Sequence, residues 1–333
     1  MPELNKSKSR FFWLSLSLGS LIILLLAPFF GLRLDYSAIF NFDAPSIDHS
    51  IFWRMRVPRV LMAYVAGASL SLCGMCFQAL FQNALATPYT LGVSSAASLA
   101  VAIQIFTGCT LALPGFNPAS SAAFLGAALS IILVYTLAGM RGNTTPALLL
   151  LAGVALSFFF SSLIMFFQYI SNFTELQQLM RWLMGGLQTL GYVELLQLSL
   201  LASIGIAIVL WHIDGLNLLA IGDEFALSRG LNVARLRKLL FFAVSLIVGA
   251  VVAYCGPIGF VGMVCPHICR LICGSNLRRL APASLLFGGA FLLCCDSLGR
   301  CIIAPVEIPT GIISALLGGP FFLWLLFAKR ENI

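Results

Sequence analysis

The sequence predicts an all-α membrane protein: a compact bundle of about ten transmembrane helices with one polar cytoplasmic loop between two of them. Three observations predict it. Hydrophobic residues make up 60% of the 333-residue chain and charged residues 9%, where a soluble domain carries about 25% charged. Apolar runs of about 20 residues, enough to cross a bilayer, follow one another along the chain. Elsewhere such runs separate the charges, but in 214–238 charged and apolar residues interleave.

Lys6, Lys8 and Arg10 precede an apolar run from Phe11 to Phe30. This mimics a secretory signal, but the run is long for one and no small-x-small cleavage site follows, so a retained first span is expected. Further segments fall at 58–81, 91–108, 119–139, 148–170, 193–212, 238–255, 260–272, 281–301 and 310–328. The eighth, 260–272, is short enough for a partial or buried helix. Gln78 and Gln104 turn the second and third toward protein rather than lipid. Small residues (Gly67, Ala68, Ser69 and Gly74; Gly153 and Ala155; Gly288 and Gly289) let helix backbones approach closely. The amphipathic stretch 173–190 reads as a short re-entrant or interfacial helix ending at Gly185-Gly186.

Within 214–238, a short helix is expected from Asp223 to Ser228, with acids at its start and Gly230 closing it. Phe225 and Leu227 are expected on one side, and a second short turn through Val233 to Lys238 leads into the next span. Such a platform offers a soluble partner a place to push.

With the N-terminus inside and ten spans, both termini are cytoplasmic. That side then holds Lys6, Lys8, Arg10, Arg141, Arg229, Arg235, Arg237, Lys238, Arg270, Arg278, Arg279, Lys329 and Arg330, which is 13 of the 19 basic residues. The outer side keeps Arg33, Arg54, Arg56, Arg59, Arg181 and Arg300. The net charge of +7 therefore reads as a topology signal, and nothing in it points to nucleic acid.

Arg56 and Arg59 flank Pro58 at the start of the second span. Snorkelling to the interface is one reading; docking of an acidic partner is the other, because positive charge at a helix N-terminus opposes the macrodipole. Arg300 follows Asp296 by four residues, the spacing of an intrahelical ion pair. Glu307, before Pro309, is expected to cap the start of the tenth span, a proton site being the other reading. The ten cysteines lie mostly inside apolar runs as small hydrophobes, with Cys109 the loop exception. His49, His212 and His267 form no metal constellation, and no Walker A, zinc or nucleophile motif occurs.

Several stretches together resemble one family: R-x-P-R at 56–59, FQALFQNALATPYTLGVSSAASL at 77–99, LLLAGVALS at 149–157 and LMRWLMGGL at 179–187. LNLLAIGDEFALSRGLNV at 216–233, GPIGFVGMVCPHICRL at 256–271 and EIPTGIISALLGGPFFLWLL at 307–326 continue the series. In this order they resemble the FecCD-type permeases, membrane subunits of type II ABC importers for iron-siderophores, haem and cobalamin. The resemblance implies a ten-span subunit of the bacterial inner membrane, embedded in lipid and paired around a central pathway with a second permease, expected to be an identical copy. Two cytoplasmic ATPase subunits would dock below and bind ATP-Mg, this chain holding no cofactor or metal and catalysing nothing. A substrate-binding protein would dock above.

It further implies coupling helices with Asp223, Glu224, Ala226, Leu227, Arg229, Gly230 and Leu231 at the ATPase contact. Arg56, Arg59 and Arg300 would pair with glutamates of the binding protein. The fifth span, the helix at 173–187 and the tenth span would line the pathway, with Ser157, Ser161, Ser162, Gln168 and Asn172 as weakly polar lining. An iron-siderophore is the expected cargo, with cobalamin and haem as alternatives. Two departures stand out. Asn83-Ala84-Leu85-Ala86-Thr87-Pro88 replaces the family's Asn-Pro-Leu-Ala-Asp/Glu-Pro, and Pro146-Ala147 stands where some members carry hydroxyl residues near the inner gate.

Two rival classes make different demands. An ion-coupled secondary transporter needs ionisable residues near the bilayer midplane, and the spans have almost none apart from Asp296. An intramembrane enzyme needs a nucleophile–base or metal pair, and His267 with its neighbouring cysteines is the one candidate.

Overall fold

The computed structural model describes residues 6–31, 39–40, 46–110, 112–113, 116–140, 145–187 and 191–328. Arg33, Arg141, Lys329 and Arg330, and the side chains of Lys6, Lys8 and Arg10, lie outside the described residues, so they do not test the predicted orientation. Among the described residues the regular structure is entirely helical.

Helix α1 spans Lys6–Leu26, and α2 (Ile47–Ile51) runs through a π-helical turn, Phe52–Arg56, into α3 (Val57–Leu80). Then come α4 (Val93–Thr107), α5 (Pro118–Gly139), α6 (Pro146–Ile170), the short α7 (Phe173–Leu183) and α8 (Tyr192–Trp211). The platform holds α9 (Ile213–Ile221) and α10 (Asp223–Ser228). The chain closes with α11 (Val233–Cys255), α12 (Val261–Cys273), α13 (Leu277–Cys301) and α14 (Thr310–Ala328).

Seven helical runs are long and apolar enough to cross a membrane, and α4, α12 and α14 are shorter apolar helices. Seven and three make ten, one for each predicted segment. The prediction of a short eighth segment holds, at 13 residues.

The α3 span is the axis of the bundle: in its most apolar 18-residue stretch 83% of the residues are buried, against 22% in the corresponding stretches of α6 and α8. Glycine is what lets α3 sit there. A Cβ on Gly74 would fall 1.5 Å from the Gly262 carbonyl oxygen of α12, and one on Gly67 would fall 2.3 Å from the Gly288 oxygen of α13. Backbone therefore meets backbone, and dispersion contacts replace the hydrophobic driving force that lipid cannot supply.

Four expectations are corrected. Pro58 stands in the first turn of α3, as expected, but that turn is not a free helix start: α2, the π-turn and α3 form one run, Ile47–Leu80, and the irregular turn just before Pro58 absorbs its missing donor. The dipole argument about Arg56 and Arg59 falls with it. The turn at Val233–Lys238 is not separate, because Asn232 Oδ1 accepts from Arg235 N at 3.0 Å and starts a helix that runs unbroken to Cys255. The third segment does pack against protein, with Val93, Ala97 and Val101 buried, but Gln104 is not the cause: it donates to the Cys109 carbonyl at 3.0 Å from the end of α4, beside the loop. Gln78, by contrast, is buried as expected. Finally, Cys301 is exposed like Cys109, whereas Cys73, Cys76, Cys255, Cys265, Cys269 and Cys295 are buried.

Candidate functional site

The first surface is the platform. α10 is one and a half turns long, and Gly230 in the left-handed region (φ +77°) closes it, with Gly230 N donating to Leu227 O at 2.9 Å and Leu231 N to Ala226 O at 3.1 Å. Ala226 is fully buried against the bundle. Phe225 and Leu227 flank it instead of sharing a side, because residues two apart on a helix stand roughly 200° apart. Both are exposed, Leu227 at 59%, beside exposed Glu224, Arg229 and Gly230 and half-buried Leu231. The Arg229 guanidinium lies 5.4 Å from the Phe225 ring centroid, which holds that apolar face open beside a cation.

What sequence reading missed is how the platform is fastened. Asp223, expected at the ATPase contact, is a structural anchor here: both its oxygens accept from Arg237 NH2, at 2.8 and 2.7 Å, and Arg237 is buried in α11. Asp214 on α9 accepts two bonds from Arg278 of α13, the one from NH2 at 2.7 Å. This hydrogen-bonded guanidinium draws the Asp214 carboxyl below the usual carboxylate range. Asn217 Oδ1 accepts from Leu277 N at 2.9 Å, and Gln82 donates to the Leu219 carbonyl at 2.9 Å. Asp223 and Arg237 lie 14 positions apart and the other three pairs 64, 60 and 137, so no local pattern announces them.

At the opposite end the three predicted arginines have different surroundings. Arg56 is half-buried and donates to the Pro28 carbonyl at 3.2 Å. Arg59 donates to Asp296 Oδ1 from Nε (3.1 Å) and NH2 (2.9 Å), and to Glu307 from NH1 at 2.6 Å. Glu307, expected to serve the tenth helix, is instead partnered with Arg59. Arg300 is buried, donating to the Phe30 carbonyl at 2.9 Å and the Ala27 carbonyl at 3.2 Å. The expected i,i+4 pair exists, with Arg300 Nε 3.0 Å from Asp296 Oδ2 at an angle outside hydrogen-bond geometry. The structure thus brings Arg59 and Arg300 together on one buried carboxylate, with Arg56 beside them on the rim. A cavity of about 310 Å³ opens next to this cluster, lined by Arg59, Glu307, Gln178, Arg181, Trp182 and Tyr254 among others.

Between the two ends, α6 presents an uncovered apolar face: Leu151, Phe158, Met165 and Tyr169 are 65%, 72%, 68% and 88% exposed. A cavity of about 340 Å³ lies beside it, lined by Thr87, Tyr89, Ser157, Phe158, Phe260 and Met263 among others. Ser157 donates to the Gly153 carbonyl (2.8 Å) and Ser162 to Phe158 (2.9 Å), so these hydroxyls add little free polarity to the wall. Asn172 caps α7 in a reciprocal pair with Glu175 rather than standing free in the lining. α7 is seated by Gly186 N donating to Cys255 O (2.9 Å) and by Gly185 O accepting from Gly311 N (3.1 Å). His267 stands edge-on to Phe321 of α14 at 6.2 Å. Among the described residues no three His, Cys, Asp or Glu side chains converge to hold a metal.

Both the sequence and the fold have counterparts among known proteins. Residues 15–328 match the model of the FecCD transport family. The hemin transport system permease protein HmuU of Yersinia pestis is 38% identical over 326 residues, covering 95% of this chain and 97% of that protein. The vitamin B12 import system permease protein BtuC of Vibrio cholerae is 37% identical over 294 residues, covering 86% of each. Among solved structures, a chain assigned to a metal-chelate type ABC transporter in an inward-facing conformation superposes with a TM-score of 0.81. It is 29% identical and covers 94% of this chain and 98% of its own.

Proposed function

The chain belongs to the FecCD transport family, and we propose that it is the permease subunit of an ATP-driven importer that carries a bulky metal chelate inward across the bacterial inner membrane. Agreement with the hemin permease over 97% of that protein's length carries the reading. The chain works as a dimer, two ATPase subunits seat on its platforms and hydrolyse ATP-Mg, and an extracytoplasmic binding protein delivers cargo at the arginine end. The uncovered α6 face supports the dimer, since an apolar face beside a cavity suits a second subunit and a shared pathway.

The mechanism is mechanical. ATP-driven closure of the partner subunits pushes on Glu224, Leu227, Arg229 and Gly230. Ala226 and the Asp223–Arg237 ion pair make the platform move with the bundle instead of sliding over it. Packed helices shift between discrete arrangements, so the pathway opens alternately to each side. A wall of aromatic and aliphatic side chains with satisfied hydroxyls grips a chelate weakly, leaving affinity to the binding protein.

The cargo proposed is an iron chelate of the siderophore type. The length of the match to the Yersinia hemin permease supports haem as a second reading. Uptake into proteoliposomes containing this chain with its candidate ATPase and binding protein tests both, using a ⁵⁵Fe-labelled ferric siderophore and hemin in parallel. ATP-dependent accumulation of either supports the importer, and the probe that accumulates identifies the cargo. Accumulation driven by an ion gradient without ATP would sink it.

A further inference from the structure

α13 is fastened at both ends to the two surfaces described above. At its start, Leu277 N is one of the four orphan donors of a helix N-terminus. Its acceptor is not in α13 but is Asn217 Oδ1 of the platform, at 2.9 Å. One residue on, Arg278 grips both oxygens of platform Asp214, a two-pronged geometry that fixes orientation as well as distance. At the other end, Asp296 is buried to 1% exposure and joins three elements. It accepts from Arg59 of α3 and from Thr310 Oγ1 at the first turn of α14 (3.1 Å), and it contacts Arg300 of its own helix.

Between these ends α13 lies against α3 backbone to backbone. A Cβ on Gly288 would fall 2.7 Å from the Gly67 carbonyl oxygen, and one on Gly289 would fall 2.9 Å from the Tyr64 ring. A helix of 25 residues at 1.5 Å per residue is about 37 Å long, the depth of a bilayer. Pro282 removes one hydrogen bond from its ladder in the second turn, but from there on the packing against α3 leaves it little freedom to bend, so movement at one end is delivered to the other.

We propose that α13 is the rod that couples the ATPase platform to the arginine end, with Asp214, Asn217 and Asp296 as positioning residues. Displacing α9 either carries the start of α13 with it or strips the Leu277 donor and the Arg278 fork of their partners. At the far end the same movement reaches Asp296, and with it Arg59 and the start of α14, whose next residue, Gly311, holds α7. A signal from a docked binding protein travels the reverse way by the same contacts. This inference rests on the importer reading.

The test uses the full transporter in nanodiscs, reading how many-fold the loaded binding protein (hemin or ferric siderophore as load) stimulates ATP hydrolysis. Asp214→Arg alone is expected to lower the stimulation by about fivefold or more, the lower range of ordinary coupling between sites. Exchanging the pair, Asp214→Arg with Arg278→Asp, restores at least half of it. Asn217→Ala, which removes one hydrogen bond and leaves the ion pair, lowers the stimulation with a thermal midpoint close to wild type, separating coupling from folding. Unchanged stimulation in the single variants, or an exchange that restores nothing, overturns the rod. A wild-type complex that no loaded binding protein stimulates overturns the importer reading itself, a different result.

Discussion

Arg59 of α3 and Asp296 of α13 form a two-donor ion pair, with Nε 3.1 Å and NH2 2.9 Å from the same carboxylate oxygen. Asp296 is fully enclosed and also faces Arg300. One buried carboxylate therefore balances two guanidinium groups, while exposed Glu307 takes the remaining reach of Arg59. The residues that resemblance marks for docking are also the residues that hold this end of the bundle together.

Asp296→Ala removes the anion and leaves Arg59 and Arg300 facing each other in a low-dielectric site. The expected loss is about 3 kcal/mol or more, the ordinary cost of breaking a buried pair from one side. Thermal unfolding of the detergent-solubilised protein checks it, and a midpoint within a degree of wild type would contradict the role assigned to Asp296.

The arginines are expected to separate by function. Arg56→Glu lowers binding-protein affinity about 10-fold or more, chiefly through a slower, more salt-sensitive association, as rim charges do. Arg300→Ala acts mainly on stability, since its guanidinium is turned inward to two backbone carbonyls. Surface plasmon resonance on immobilised nanodiscs, paired with melting curves, distinguishes the two. Equal losses of affinity at the two sites would place Arg300 in the contact after all.

On the platform, Leu227→Ala should weaken ATPase-subunit association by about 1–2 kcal/mol, the size of an ordinary apolar contact residue, and Glu224→Arg should uncouple ATP hydrolysis from transport. Ala226→Leu acts differently, because its position has no free surface: it forces α10 off the bundle and costs about 1–3 kcal/mol as an overpacked site. Co-purification yield and the ratio of cargo moved to ATP hydrolysed read these effects. Wild-type values for Glu224→Arg would remove the platform from the coupling mechanism.

Gly74→Ala is expected to prevent normal assembly, since its methyl would occupy the space of the Gly262 carbonyl, while Gly19→Ala on α1 meets nothing within 4 Å and is expected to be neutral. Folded yield in size-exclusion chromatography is the measurement. Comparable yields would mean that α3 and α12 can separate without cost.

Cys109 and Cys301 are the two exposed thiols among the described residues, and the predicted orientation places both outside. A membrane-impermeant maleimide applied to intact spheroplasts should label these two, and serine substitution of both should abolish the signal. Labelling that needs permeabilised membranes would invert the topology.

How much was legible in the sequence follows from the range of each interaction. Composition and run length determined the all-helical membrane class and the ten apolar segments, because crossing a bilayer constrains each segment by itself. Local chemistry likewise determined α10 and its Gly230 stop, the α7 helix ending near Gly185, and the Asp296–Arg300 pair four residues apart. Tertiary structure alone decided where the long-range charges went. Arg59 meets Asp296 across 237 positions, Arg278 meets Asp214 across 64, and Asn217 meets Leu277 across 60. It also decided which glycines are indispensable, since Gly74 and Gly19 look alike in an apolar run until another backbone arrives against one of them. A residue's own neighbours set the helix it joins; what its charge balances depends on which helices pack beside it.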